Sequence, residues 1–358
     1  MERRPDTQCS NRENATARGG GQCRRSVGAC RMSRQDVRFR TVAALYSVAM
    51  TILICGSMAY DTIMVFPDQF KKHILLEQIH ILNVAFLVPD LRREFGGTGG
   101  NIAYNLKLLG EDPTIMATVG HDFGPYDARL KLLGISRRHI RTLEDQFTAQ
   151  AFITTDIDDN QITAFHPGAM SFSHMNRVRD AAPTLGIVSP DGRQGMIEHA
   201  RDLAAAKIPY VFDPGQGLPM FSGPELLELV GGARALTVND YEARVVEDKT
   251  GRKVADIART IGAVVVTRGA EGSTIYADGG RIDVPAVKPD SLVDPTGCGD
   301  AYRAGLLYGM AREWGWGRSA RLASVMGSIK IARRGGQNHN PSRDEIARRL
   351  REAFGDQL

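Results

Sequence analysis

The stretch Asp294-Pro295-Thr296-Gly297-Cys298-Gly299-Asp300 decides how this 358-residue chain is read. A strand-like segment ends before it, and a helical pattern over 301–314 follows it. Glycines at 297 and 299 let the backbone bend until several N–H groups face one point. The helix that follows adds the positive end of its dipole at the same place. Such a turn is an anion trap suited to phosphate. A carboxylate at its mouth, Asp300, repels phosphate unless it has a task of its own. The task that fits is taking the proton of a hydroxyl that attacks phosphorus. The backbone of Gly297, Cys298 and Gly299 would then stabilise charge on the transferred group. Geometry alone leaves a second reading open with equal weight, a helix merely capped after a Gly-rich turn.

A second glycine-rich stretch, Gly96-Gly97-Thr98-Gly99-Gly100-Asn101, opens another helix over 101–109. Its glycines would let a ligand approach the backbone closely, and Asn101 could both accept from and donate to a polyol. It is neither a P-loop, since no Gly-Lys-Ser/Thr follows, nor a GxGxxG fingerprint.

Outward from these two stretches the chain alternates. Strand-like runs at 51–55, 114–119, 185–189, 210–213, 235–238, 263–267 and 273–277 are mostly continuous and apolar, as in strands covered on both faces. Helical patterns at 194–206, 225–230, 242–249 and 255–261 lie between them. This alternation predicts an α/β fold with a mainly parallel sheet between helical layers. Two segments, 147–155 and 161–165, read instead as a hairpin around Asp156-Ile157-Asp158-Asp159-Asn160. That acidic turn lacks the glycine and the distal glutamate of a calcium loop. With 61–66 and 86–88 the hairpin would form a small separate sheet, a lid. Helices over 319–333 and from the capping box Ser342-Arg343-Asp344-Glu345 onward close the chain.

Composition fits a soluble globular protein, with 42% hydrophobic and 24% charged residues. The net charge of +4 is local, because residues 1–40 hold ten arginines against four acids. It therefore gives no reason to expect nucleic-acid binding. Three of the five cysteines, Cys9, Cys23 and Cys30, lie in that basic segment without a zinc-like spacing, and Cys55 and Cys298 lie in the body. Scattered cysteines fit a reducing, cytoplasmic setting. Residues 1–49 read as a disordered leader or misassigned start, with Met50 as an alternative beginning, and 50–358 as the folded domain. The run 42–59 has the minimum length of a membrane span, but 51–56 reads better as a buried first strand ending at a glycine turn, with no membrane partner.

Taken together, the two glycine-rich stretches are similar to a known pair. Residues 96–120, with Asn101, Ala103, Gly110 and Gly120, resemble the first signature of the PfkB/ribokinase family of carbohydrate kinases. Residues 294–307, with Asp294, Pro295, Gly297, Gly299, Asp300, Ala304 and Gly305, resemble the second. The resemblance covers 51–340. Cys298 departs from it, where the family has Ala, Gly or Ser, but cysteine is also small and only its amide is needed. The resemblance implies a ribokinase-like three-layer α/β/α fold with a small β-sheet lid, whose segments would be 61–70, 84–90 and 147–167. It implies ATP and Mg2+, with K+ as an optional addition. Asp300 would be the catalytic base beside Gly297, Cys298 and Gly299. Asp61, Gly96, Gly97 and Asn101 would hold the substrate. Asn239 and Glu242, in an Asn-x-x-Glu element, would order the metal ion, waters and phosphates. Thr267, Gly269, Gly272 and Asn338 would contact the nucleotide, and 335–338 would lie near the adenine and a monovalent cation.

Within the family, Asp-Pro-Thr-Gly-Cys-Gly-Asp combined with Gly-Gly-Gln-Asn-His is similar to bacterial adenosine and broader nucleoside kinases. The expectation is phosphorylation of a nucleoside at its ribose 5′-hydroxyl, with Phe66, Phe86, Phe165 and Met170 available to cover the base or simply to pack the lid. A sugar kinase of the same family is the alternative, and a non-catalytic ligand-binding homologue is a second one. A dehydrogenase would need an early GxGxxG that is missing. The molecule is expected to be a monomer or a lid-mediated homodimer.

Overall fold

The computed structural model describes residues 50–74, 83–158 and 160–358. The leader expected over 1–49 lies outside them. The first strand, β1 (Ile52–Cys55), shows why the core strands are continuous apolar runs. Ile52 and Ile54 enter one hydrophobic cluster, and Leu53 and Cys55 enter the other on the opposite face of the sheet. Every side chain of the strand is buried, and each such aliphatic group stabilises the fold by about 1.5–3 kcal/mol.

The remaining strands follow in chain order: β2 (Ala59–Val65), β3 (Asp90–Gly96), β4 (Thr114–Gly120), β5 (Ser136–Leu143), β6 (Ala149–Thr155), β7 (Gln161–His166), β8 (Leu185–Val188), β9 (Tyr210–Phe212), β10 (Ala235–Asn239), β11 (Ala263–Thr267), β12 (Ser273–Ala277) and β13 (Gly280–Val284). The helices are α1 (Thr98–Leu108), α2 (Gly124–Leu133), α3 (Arg193–Ala205), α4 (Gly223–Gly231), α5 (Asp240–Thr250), α6 (Val254–Ala258), α7 (Cys298–Ala311), α8 (Trp316–Lys330) and α9 (Arg343–Phe354). Nine strands form one sheet in the order β13-β12-β11-β10-β9-β8-β1-β4-β5. It is parallel from β11 to β5, and only β12 and β13 run antiparallel at one edge. Helices α1, α2, α7, α8 and α9 supply one core cluster, and α3 to α6 supply the other. The three-layer α/β/α expectation holds.

The small sheet has the order β3-β2-β6-β7. The hairpin β6–β7 is where the sequence places it, with Thr155 opposite Gln161. Asp156 ties its turn, accepting from the amides of Phe70, Asp158 and Asn160. The strand expected at 86–88 is not formed. Its place is taken by β3, Asp-Leu-Arg-Arg-Glu-Phe-Gly, whose charges obscure its strand character. Phe86 packs instead on Phe66 and Phe70, with ring centroids 4.8 and 5.0 Å apart. Among the described residues no helix is long and apolar enough to cross a membrane.

Candidate active site

In open parallel sheets the ends of strands and the starts of helices gather at the carboxyl edge, and ligands bind there. The sequence-predicted residues converge on that edge. Asn239 ends β10 and faces Thr267 at the end of β11 in register. Asp213 follows β9, its amide bonded to the Val188 carbonyl at 2.8 Å. Asp61 lies on β2 of the small sheet, and Asp300 in the first turn of α7.

The N-cap of α7 is Gly297, at φ 79°, a left-handed conformation that a Cβ disfavours. A Cβ at this residue would also come within 3.1 Å of Gly336 Cα. The amides of Gly297, Gly299 and Asp300 have no partner among the described residues, whereas Cys298 donates its amide to the Pro295 carbonyl at 3.1 Å. The expected contribution of the Cys298 amide to an anion hole is thus corrected. The turn keeps the amides of 297, 299 and 300 available to an anion. Its orphan amides coincide with the positive end of α7, the arrangement that binds phosphate. The Cys298 thiol, pushed up to about 11 by burial, is a neutral neighbour.

Asp300 does not cap its own helix. Its Oδ2 accepts from Asn101 Nδ2 at 2.8 Å, and Asn101 Oδ1 in turn accepts from Gln337 Nε2 at 3.1 Å. Gln337 also donates to the Tyr126 hydroxyl at 2.5 Å, which donates to the Gly96 carbonyl at 2.9 Å. This chain fixes the amide orientation of Asn101 and leaves Asp300 Oδ1 without a hydrogen-bond partner among the described residues. Asp300 keeps an opening to solvent, yet protein surrounds it closely enough that lost hydration raises its pKa to about 6. The Asn101 bond and the Arg303 charge pull the other way, while Asp213 and Asp61 add to the rise. Asp61 is likewise raised to about 6, first by burial and then by Glu94 and Asp294.

Two residues the sequence did not single out, Asp213 and Arg303, stand behind the site. Both are buried, and Arg303 grips Asp213 through two nitrogens, Nη2 to Oδ1 at 2.7 Å, while its Nη1 donates to the Gly299 carbonyl at 3.1 Å. The pair anchors the Gly299 peptide of this turn. A lone arginine in an otherwise apolar helix stretch, three residues after Asp300, was the available signal.

The other expected positions are placed as follows. Asn239 and Glu242 form a reciprocal capping box on α5, with Asn239 Oδ1 accepting from the Glu242 amide at 2.7 Å and Glu242 Oε2 from the Asn239 amide at 2.8 Å. Glu242 Oε1 stays without a protein partner among the described residues. Burial, then Asp213, raises its pKa. No group of three or more His, Cys, Asp or Glu that could hold a metal ion exists among the described residues. The one carboxylate oxygen of Glu242 without a protein partner among the described residues would suit a cation held mainly by phosphates and its own water and reached through water. Thr267, Gly269 and Gly272 form the turn after β11, Gly272 at φ 87°. Asn338 donates to Glu94 Oε2 at 2.7 Å, which ties it to the Asp61 side of the cleft. At Gly96 and Gly97 the protein itself fills the space on the side-chain direction of the backbone. A Cβ on Gly96 would meet Asp61 Oδ2 at 2.4 Å, and one on Gly97 the Ser57 carbonyl at 2.5 Å.

The residues Glu94, Asp61, Ala151 and Phe165 are register partners across β3, β2, β6 and β7, so they share one face of the small sheet. Ile63 and Ile153 lie on the same face one row on. Phe165 is 52% exposed there, whereas Phe66 is buried in its own aromatic cluster.

Comparison with known proteins agrees with this layout. The model of the pfkB family carbohydrate kinases matches residues 58–343. The chain is 30% identical over 276 residues to the nucleoside kinase of Methanocaldococcus jannaschii, covering 75% of this chain and 89% of that protein. It is 31% identical over 313 residues to the nucleoside kinase of Methanothermobacter thermautotrophicus, covering 85% and 96%. The structure of Burkholderia thailandensis nucleoside kinase in complex with inosine superposes with a TM-score of 0.79 at 51% identity, covering 86% of this chain and 99% of that one. With the two glycine-rich helix starts and the small sheet in the positions described, the chain belongs to the pfkB family of carbohydrate kinases and is a phosphotransferase with an alcohol acceptor.

Proposed function

We infer that the protein transfers the γ-phosphoryl group of ATP to the 5′-hydroxyl of a nucleoside, with Asp300 as general base. The observation that carries this reading is the pairing of a carboxylate, oriented by Asn101, with three unpartnered amides at 297, 299 and 300. A free Oδ1 on Asp300 can take the proton of the attacking hydroxyl, and the amides can stabilise the phosphoryl oxygens as charge builds. Asp61, with Asn101, would hold the ribose hydroxyls. Mg2+, held by the phosphates and through water by Glu242 and Asn239, would neutralise charge on the phosphate chain. Thr267, Gly269 and Gly272 would border the nucleotide. Closing the small sheet over the site would keep out water, which otherwise competes as acceptor.

A nucleoside rather than a free sugar is favoured by the face that carries Asp61. Phe165, Ile63 and Ile153 give it an apolar surface that a base can cover and a free sugar cannot use. The relatives named nucleoside kinases, and the solved complexes of the Burkholderia enzyme with inosine and with ADP-inosine, point the same way. The test is a panel of adenosine, inosine, cytidine, ribose and fructose with ATP, the product identified by mass and by phosphorus NMR. A nucleoside 5′-monophosphate as the preferred product is the expected result. Preference for ribose or fructose would return the sugar-kinase alternative.

A further inference from the structure

The family resemblance puts a monovalent cation beside 335–338, but the residues present do not fit a free ion there. Lys330, the last residue of α8, is wholly buried. Its Nζ donates to the carbonyl of Asp294 at 2.7 Å and to that of Arg333 at 2.9 Å. The same seam is closed by three further bonds. The amides of Val293 and Asp294 donate to the Ile331 carbonyl at 3.0 and 3.1 Å, and the Gly335 amide donates to Asp294 Oδ2 at 2.8 Å. The ammonium thus joins the segment entering the anion-binding turn to the segment leaving α8, and 335–337 runs on from there to Asn101.

A lysine ammonium is a compact point charge, and carbonyl oxygens answer it as they answer a dehydrated monovalent ion. Burying it is unfavourable unless oxygens surround it. Burial does depress its pKa, while the nearby Cys298, Asp294 and Asp300 counteract that. An ion must be bound from solution, whereas a tethered charge is always present at high effective concentration.

We propose that Lys330 is a built-in monovalent cation, taking the carbonyl oxygens of Asp294 and Arg333 and setting the turn 294–300 in place, so that no K+ is needed. This rests on the phosphoryl-transfer reading of that turn. Lys330 is a positioning residue, since its buried ammonium acts through the backbone carbonyls of Asp294 and Arg333. The consequence is a wild-type enzyme indifferent to K+.

Two measurements on the full chain test this. The first is melting temperature in KCl against choline chloride at equal ionic strength, which requires no turnover. No K+-specific shift is expected, and a K+-specific rise would overturn the proposal even if no acceptor were phosphorylated. The second is initial rate with inosine and MgATP in the same two salts. Rates within about twofold are expected, and stimulation by about tenfold or more would overturn the proposal while leaving the kinase reading intact. Lys330→Met is expected to lose about tenfold or more in kcat in choline chloride and to regain part of it in KCl or NH4Cl. Full activity of that variant in choline chloride would also overturn it. Because wild type alone can contradict the claim, the test survives a variant that fails to fold.

Discussion

The two glycine-rich helix starts look alike in sequence and differ in what meets them. Both N-caps are glycines with positive φ, 82° at Gly97 and 79° at Gly297, and neither helix has a side chain capping it from the N-cap position. At α1 the first amides are closed off by one neighbouring residue. Thr98 donates to Ser57 Oγ at 3.2 Å, and Gly99 and Gly100 donate to the Ser57 carbonyl at 2.9 and 3.4 Å. The Tyr126 hydroxyl stands 2.0 Å from where a Gly100 Cβ would be. At α7 the amides of 297, 299 and 300 stay open. A glycine in a sequence reports that something approaches the backbone closely, without saying whether it is a ligand or the protein itself.

The comparison can be broken most sharply at Asp300. Asp300→Asn keeps the shape and the Asn101 contact region but removes the base, so kcat is expected to fall by about 10³-fold with inosine affinity little changed, read by steady-state kinetics and calorimetry. Next is Gly297→Ala. It forces an alanine into the left-handed region and against Gly336, and should lower kcat by about 10²-fold as the open amides move. Acidity comes third. Asp300 and Asp61 both sit near pKa 6 and must be ionised to act, so kcat/KM is full above that pH and falls as pH drops through it. The acid limb should lose about tenfold per pH unit at first and approach about a hundredfold per unit further down, since both carboxylates must be ionised. The smallest effect belongs to the closed helix start. Ser57→Ala removes one cap from α1 and should cost about 1 kcal/mol of stability in denaturant titration, with kcat within about twofold of wild type.

Much of the fold was legible because the core strands are buried on both faces. Runs such as Ile52–Cys55 and Ala263–Thr267 declare themselves by unbroken apolar residues. The strands missed are those that alternate or carry charge. β3 exposes three of its first four residues, β5 is an arginine-rich edge strand, and β13 is exposed at four of five positions. In each, pairing to a neighbour rather than burial makes the strand, and pairing leaves little trace in one sequence. The site was legible where a residue type is chemically unusual for its place, as with Asp300 at the mouth of an anion trap. It was not legible where a role depends on contacts between distant segments. Gln337 acts through Asn101 and Tyr126, and Arg303 through Asp213 and Gly299. Asn338 and Glu94, 244 positions apart in sequence, meet only in the fold. The expected amide of Cys298 is instead taken by the Pro295 carbonyl in a tight turn, a local bond that the sequence does not announce.

The central claim is that the open start of α7, and not the closed start of α1, receives the phosphates. Amide chemical shifts followed during titration with MgADP test it directly. The resonances of Gly297, Gly299 and Asp300 are predicted to move with ADP occupancy, and those of Thr98, Gly99 and Gly100 to stay nearly still. Movement confined to the second set, with the first unchanged at saturation, would contradict it.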